Sequence, residues 1–235
     1  MAETSQTTDH GLTILEAVIQ HGPISAQDLS RRLGLNRTTC HRLLSTLHRR
    51  GYLRKDGSSY SVGHQFLRLS QQALPLLLVR ARPVLRELAD THGETFLLTV
   101  VDGDEAVAID QAAGDRHTVR VEYRIGNRHP LVTGASGRAL LAYLDEAHIA
   151  RAVAAERDSE RLLAQLNELR EEGYCTSQNE LNSNVFGVSV PVLDDGLALA
   201  SLTVVAPTER ADTLMTLVPA LRSAAHRIPE MLRDR

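Results

Sequence analysis

Apolar positions in the first fifty residues repeat at helical spacing in three separate runs. Ile14, Leu15, Val18 and Ile19 form the first, which His21-Gly22-Pro23 stops. Leu29 and Leu33 mark a short second helix, with Ser25 as N-cap, Asp28 three residues later approximating a capping box, and Gly34 at its end. In the third, Cys40, Leu43, Leu44 and Leu47 fall at i, i+3, i+4 and i+7 behind an Asn36 cap and run to Arg50-Gly51. Helix, glycine-containing turn, helix is the helix-turn-helix arrangement. The period then changes. Residues 52–55 and 59–62 are short β-prone segments around Asp56-Gly57, a hairpin that would serve as a wing.

Helical spacing resumes over 65–78 with Phe66, Leu67, Leu69 and Leu74, is broken at Pro75, and continues in a further helix over 79–92. Beyond Gly93 the chain becomes β-rich. Strands are predicted at 95–101 and 105–111 around Asp102-Gly103-Asp104, then at 119–123, 174–177, 185–193 and 197–205, the last pair turned by Asp194-Asp195-Gly196. Helices are predicted at 137–144, 145–155, 160–172 and 210–233. The fold class is therefore α+β: an N-terminal winged helix-turn-helix plus a C-terminal antiparallel sheet flanked by helices, GAF-like by analogy. The expected organisation is a disordered tail at 1–9, a winged helix-turn-helix at 10–64, a linker helix at 65–80 and an effector-binding and oligomerisation domain at 81–235.

Composition narrows the function. The chain has 235 residues, enough for a small and a larger domain, and no apolar run approaches the roughly 20 residues a membrane span requires. MAETSQTTDH lacks the charged-then-apolar pattern of a signal peptide, and Cys40 and Cys175 stand far apart outside any metal-ligand spacing. A cytoplasmic protein without structural zinc or cofactor is the expectation. The net charge of −3 is unevenly spread: through His64 eight basic residues face five acidic ones, a net +3, so the rest carries −6. A basic module on an acidic body fits nucleic-acid binding by one end.

With its apolar stripe turned inward, the third helix presents Arg37, Thr38, His41, Arg42 and Ser45 outward. Arginine pairs bidentately with guanine, threonine offers a hydroxyl and a methyl, and the helix N-terminus around Arg37 to Thr39 is a phosphate site. Arg54 and Lys55 on the wing would grip flanking backbone. The plain alternative is a solvated helix face. Candidate catalytic residues are absent: Cys175 reads as a small buried hydrophobe, His117, His129 and His148 form no ligand pattern, and no GxSxG, phosphate-loop or Rossmann run occurs. Arg116, Arg120, Arg124 and Arg128 stand at strand spacing and would edge an anion site, a dimer interface or simply a solvated sheet face.

GLTILEAVIQHGPISAQDLSRRLGLNRTTCHRLLSTLHRRGYL followed by YSVG closely resembles the DNA-binding domain of the IclR family, and PLVTGASGRALLAYL, EEGYCTSQNE and GVSVPVLDDGLALASLTVVAP extend the resemblance to about Arg233. The resemblance implies a homodimer or dimer of dimers on a palindromic double-stranded operator, more often repressing than activating. It also implies a sensor domain for an organic acid or aromatic metabolite, its cavity bounded by Gly134, Ala135 and Ser136, where helix N-terminal amides would bind a carboxylate. The opposite wall is implied at Gly187, Thr203 and Val205, where the family more often carries a small or Cys residue and two serines; that departure makes a bulkier or more apolar effector plausible. Asn179 and Glu180 either reach this pocket or merely cap a strand. Two rival readings stay open: a regulator whose second domain only dimerises, and a metabolite-converting enzyme with an accessory winged helix.

Overall fold

The computed structural model describes residues 5–233, which divide into two compact units at 75/76. In the first, α1 (Gln6–His21), β1 (Ile24–Ser25), α2 (Ala26–Leu33), α3 (Arg37–Arg49), β2 (Leu53–Asp56) and β3 (Ser59–Val62) follow in order. Local chemistry sets the helix ends. Ser25 Oγ accepts the Asp28 amide at 3.2 Å and donates to the Asp28 carboxylate at 2.6 Å, and Gly34, at φ 65°, closes α2 in the left-handed region. Asn36 Oδ1 accepts the Thr39 amide at 3.0 Å. The helical stripes meet in one cluster: Ile14, Val18, Leu29, Cys40, Leu44, Leu53 and Tyr60 are all buried.

Two features differ from the sequence expectation. Helix α1 begins at Gln6, so the expected tail is helical from residue 6 to 9, while residues 1–4 lie outside the described residues. The wing carries a third strand, β1, pairing Ile24 with Tyr60 and Ser25 with Ser59. Two residues are too few to show a period of two.

Helix α4 is one element, Gln65–His92, where the sequence suggests two separated by Pro75. Proline removes one helical hydrogen bond, a cost of about 3 kcal/mol. Beyond it Leu77, Ala81, Val84, Leu85, Leu88 and Ala89 bury a continuous apolar stripe, and each large side chain returns about 1.5–3 kcal/mol. Leu67 and Leu74 lie outside the described side chains.

The second unit continues with β4 (Thr95–Asp102), β5 (Glu105–Ala113), β6 (Arg128–Pro130), α5 (Gly134–Leu141), α6 (Glu146–Ala155), α7 (Ser159–Glu172), β7 (Cys175–Gln178), β8 (Val185–Asp194), β9 (Leu197–Pro207), α8 (Ala211–Met215) and α9 (Val218–Arg233). The six strands form one antiparallel sheet in the order β6-β5-β4-β9-β8-β7. Phe96, Leu98, Val188, Val190, Leu202 and Val204 on one sheet face pack with α4 and α9. A separate cluster joins Ala106 and Leu131 to Leu140 and Leu141 of α5 and Leu162, Leu166 and Leu169 of α7. Every residue of α5 is buried. Its close approach demands Gly137, where a Cβ would stand 2.6 Å from the Leu131 carbonyl oxygen.

The strand expected at 119–123 is not formed; that stretch belongs to a loop between β5 and β6. Side chains take the place of a strand partner. Arg120 donates to the Gly114 carbonyl at 2.9 Å, Arg210 to the Val119 carbonyl at 3.3 Å, and Gln111 Oε1 accepts the Tyr123 amide at 3.0 Å. Arg116, Arg120 and Arg124 therefore do not share a strand, and Arg128 sits on β6, paired with Asp102 and Glu105. The helix expected over 210–233 is divided at 216–217, with Pro219 in the first turn of α9, where proline is tolerated. No described helix is long and apolar enough to cross a membrane.

Candidate DNA-reading helix and effector pocket

On α3 the inward stripe leaves Arg37, Thr38, His41, Arg42 and Ser45 exposed, as the spacing requires, with Thr39 half-buried. The Thr39 amide is already engaged by Asn36, so of the helix-start groups anticipated for phosphate it is not free. Arg54 and Lys55 are exposed on β2, and Lys55 Nζ stands 5.8 Å from the centre of the Tyr60 ring, which steadies the wing cation. His48 Nδ1, 3.1 Å from the Leu53 carbonyl oxygen, fastens the end of α3 to the start of that wing.

A cavity opens between the start of α5, the sheet face opposite α9, and the loops after β5 and β7. Ala135, Ser136, Glu180, Gly187, Thr203 and Val205, six of the eight residues implied for an effector site, line it. The other two lie outside its lining: Asn179, at φ 59°, uses Oδ1 to accept the Asn184 amide at 2.7 Å, and the Gly134 amide donates to Glu180 Oε2 at 2.8 Å. The free volume is about 30 Å³, room for one or two waters.

Glu180 is the electrostatic centre of the wall. Its two oxygens take parallel hydrogen bonds of 2.7 Å from Arg138, whose side chain is 5% exposed and also donates to the Thr176 carbonyl at 2.9 Å. Burial pushes the Glu180 pKa up, but Arg138 and the Gly134 amide outweigh it and hold the carboxyl below its ordinary range. Burial alone would lower the Arg138 pKa, yet Glu180 keeps it raised. The helix-start amide at Gly134, expected to receive an effector carboxylate, thus already holds the chain's own.

Beside it His129 is buried, with Nδ1 3.0 Å from the Pro130 carbonyl oxygen and Nε2 3.1 Å from Ser136 Oγ. A neutral ring donating from Nδ1 and accepting from the Ser136 hydroxyl satisfies both, and burial holds the histidine below its ordinary pKa against the opposing backbone hydrogen bonds. Thr203 and Ser189 share a buried hydroxyl pair at 2.9 Å. Cys175 donates to the Ala135 carbonyl at 3.2 Å, and burial pushes its thiol up to about 12, which leaves no thiolate for nucleophilic chemistry.

The sequence reading missed Leu97, Thr99, Tyr123, Asn127, His129, Ser177, Leu181 and Asn182 as lining residues. Tyr123 hydrogen-bonds to the Asn182 side chain, and both belong to loops, where no periodicity marks facing. Alternation along the strands could have placed Leu97 and Thr99 on one face.

Comparison with known proteins matches residues 7–57 to the IclR helix-turn-helix domain and residues 74–230 to the C-terminal domain of bacterial IclR transcriptional regulators. The HTH-type transcriptional regulator KdgR of Escherichia coli is 32% identical over 232 residues, covering 92% of this chain and 88% of its own. An IclR transcriptional regulator from Silicibacter sp. TM1040 superposes with a TM-score of 0.65 at 30% identity over 96% of both chains. An IclR homologue from Microbacterium hydrocarbonoxydans, solved with 4-hydroxybenzoate, shares the fold with a TM-score of 0.63 at 22% identity, covering 98% of this chain and all of its own.

Proposed function

The chain belongs to the IclR family of transcriptional regulators, and from that premise we propose that it is a cytoplasmic repressor whose winged helix holds a palindromic operator and whose second unit binds a small organic effector. It acts as a homodimer or dimer of dimers, each winged helix taking one half-site. Arg37, Thr38, His41, Arg42 and Ser45 read base edges, Thr39 supports them, and Arg54 and Lys55 hold flanking phosphates. The effector occupies the cavity beneath α5.

The observation that carries this reading is the convergence of Ala135, Ser136, Glu180, Gly187, Thr203 and Val205, drawn from four separated stretches of sequence, on one cavity. The 4-hydroxybenzoate complex of the Microbacterium homologue supports a metabolite of that size. The cavity as it stands has room for one or two waters, so a ligand of that size requires its walls to move outward. The effector then acts by preferring one arrangement of the protein over another; equal affinity for both would change nothing.

Selection of bound sequences from a random DNA library by the full chain at fixed salt tests the reading. Enrichment of a palindrome, with release on effector addition, is the expected result. No enrichment, with or without candidate effectors, would remove the operator from the account.

A further inference from the structure

Two buried side-chain hydroxyls, Thr95 Oγ1 and Ser201 Oγ, have no hydrogen-bond partner among the described residues, although Thr95 is only 1% exposed and Ser201 0%. A buried hydroxyl left unpaired gives up its bonds to water and gains none in return, so such groups are rare and call for a reason.

Their positions are related. Strands β4 and β9 pair Thr95 with Val205, Leu97 with Thr203 and Thr99 with Ser201. The residues between them, Phe96, Leu98, Leu202 and Val204, pack with α4 and α9, so by strand alternation these six share the opposite face. Four of the six, Leu97, Thr99, Thr203 and Val205, line the cavity. The unpaired hydroxyls are the remaining two, at diagonal corners of the same patch. The cavity therefore covers the middle of a floor whose two ends are polar and unserved.

Four steps of strand span about 13 Å and neighbouring strands lie about 4.8 Å apart, which sets the two corner Cα atoms about 14 Å from each other. Two short side chains and two hydrogen bonds of about 2.8 Å bridge only part of that distance. One polar group cannot reach both corners; a ligand with a polar group at each end can.

We propose that Thr95 and Ser201 are ligand contacts of the effector site, and that its ligand is an elongated compound carrying a hydrogen-bonding group at each end. This rests on the effector reading above. Binding widens the cavity along the strands toward both corners, where the two hydroxyls gain the partners that the chain itself does not give them.

Thr95→Val and Ser201→Ala remove the hydroxyls with little change of shape, and each is read in two ways. Without ligand, both variants are expected to melt no lower than wild type, since an unpaired group is removed. Calorimetric titration of the full chain then uses ring compounds in pairs, polar at both ends or at one: 4-hydroxybenzoate with benzoate, 4-hydroxybenzyl alcohol with benzyl alcohol, and 4-hydroxycinnamate with cinnamate. Gly187→Leu, which fills the cavity floor, marks the binding that belongs to this site. The two-ended member of a binding pair is expected to bind about tenfold tighter, and each hydroxyl-deleting variant to weaken it about three- to tenfold. Variants that melt well below wild type would show the hydroxyls to be paired within the fold and overturn the proposal. Unchanged affinity in both variants, or two-ended compounds binding no better than their partners, with binding that Gly187→Leu abolishes, would overturn it and leave the effector reading standing. Absence of any binding sensitive to Gly187→Leu would overturn both.

Discussion

Arg138 and Glu180, 42 residues apart in sequence, meet through two hydrogen bonds of 2.7 Å and fasten buried helix α5 to the segment after β7. Breaking the pair from the Glu180 side leaves a guanidinium without its counter-ion in a site where its side chain is only 5% exposed. Glu180→Ala is therefore expected to destabilise the second unit by about 2–4 kcal/mol, less than a fully buried pair because Glu180 keeps contact with solvent. Hydrogen exchange of the α5 amides reads this directly, and unchanged protection would show the pair to be idle. The Glu180 pKa is depressed in the folded chain, so its contribution is present above the ordinary carboxylate range and is lost as pH falls through that lower value.

His129 gives the second unit a separate response to mild acid. Its pKa is lowered by burial, so the unfolded chain binds the proton more readily than the folded one. Stability is complete above the ordinary histidine value near 6.5 and declines as pH falls below it, with a slope of at most about 1.4 kcal/mol per pH unit. Melting temperatures of wild type and His129→Gln between pH 7.5 and 5 are expected to converge on the acid side. Parallel curves would mean that another group carries the dependence.

The proposed DNA-reading role of α3 yields a pair of contrasting substitutions. Arg42→Ala and His41→Ala are each expected to cost about 1–3 kcal/mol on the selected operator and much less on unrelated DNA, whereas Lys55→Ala weakens both alike and flattens the salt dependence. Equal losses on all sequences from Arg42→Ala would place base reading elsewhere.

Gly187 lies on the cavity floor with ordinary strand geometry, and a Cβ there would stand 3.2 Å from Ser177 Oγ and 3.5 Å from Val205 Cγ1. Gly187→Leu is expected to abolish effector-induced melting shifts while circular dichroism stays that of wild type. A ligand that still stabilises this variant binds elsewhere.

Much of this architecture is written locally. The stripe from Cys40 to Leu47, the caps at Ser25 and Asn36 and the Asp56-Gly57 hairpin each depend on neighbours within a few residues, so α2, α3 and the wing are legible in the chain. The strand anticipated at 119–123 was misplaced because its partners are side chains, Arg210 and Gln111 among them, that only the folded sheet brings near. The continuity of α4 through Pro75 was likewise hidden, since apolar burial beyond the proline outweighs the local break. For the pocket, resemblance supplied the strand and helix positions but not the loops. Nothing in the spacing of Tyr123, His129 and Asn182 announces that they converge.

The narrowness of the cavity also sets a clock. Were the proposed effector to enter between the loops after β5 and β7, the Tyr123–Asn182 hydrogen bond would have to open for it to arrive and open again for it to leave. Arrival and departure would then be paced by the breathing of two loops rather than by diffusion, and occupancy would lag behind the ligand in solution and average out brief surges in its supply.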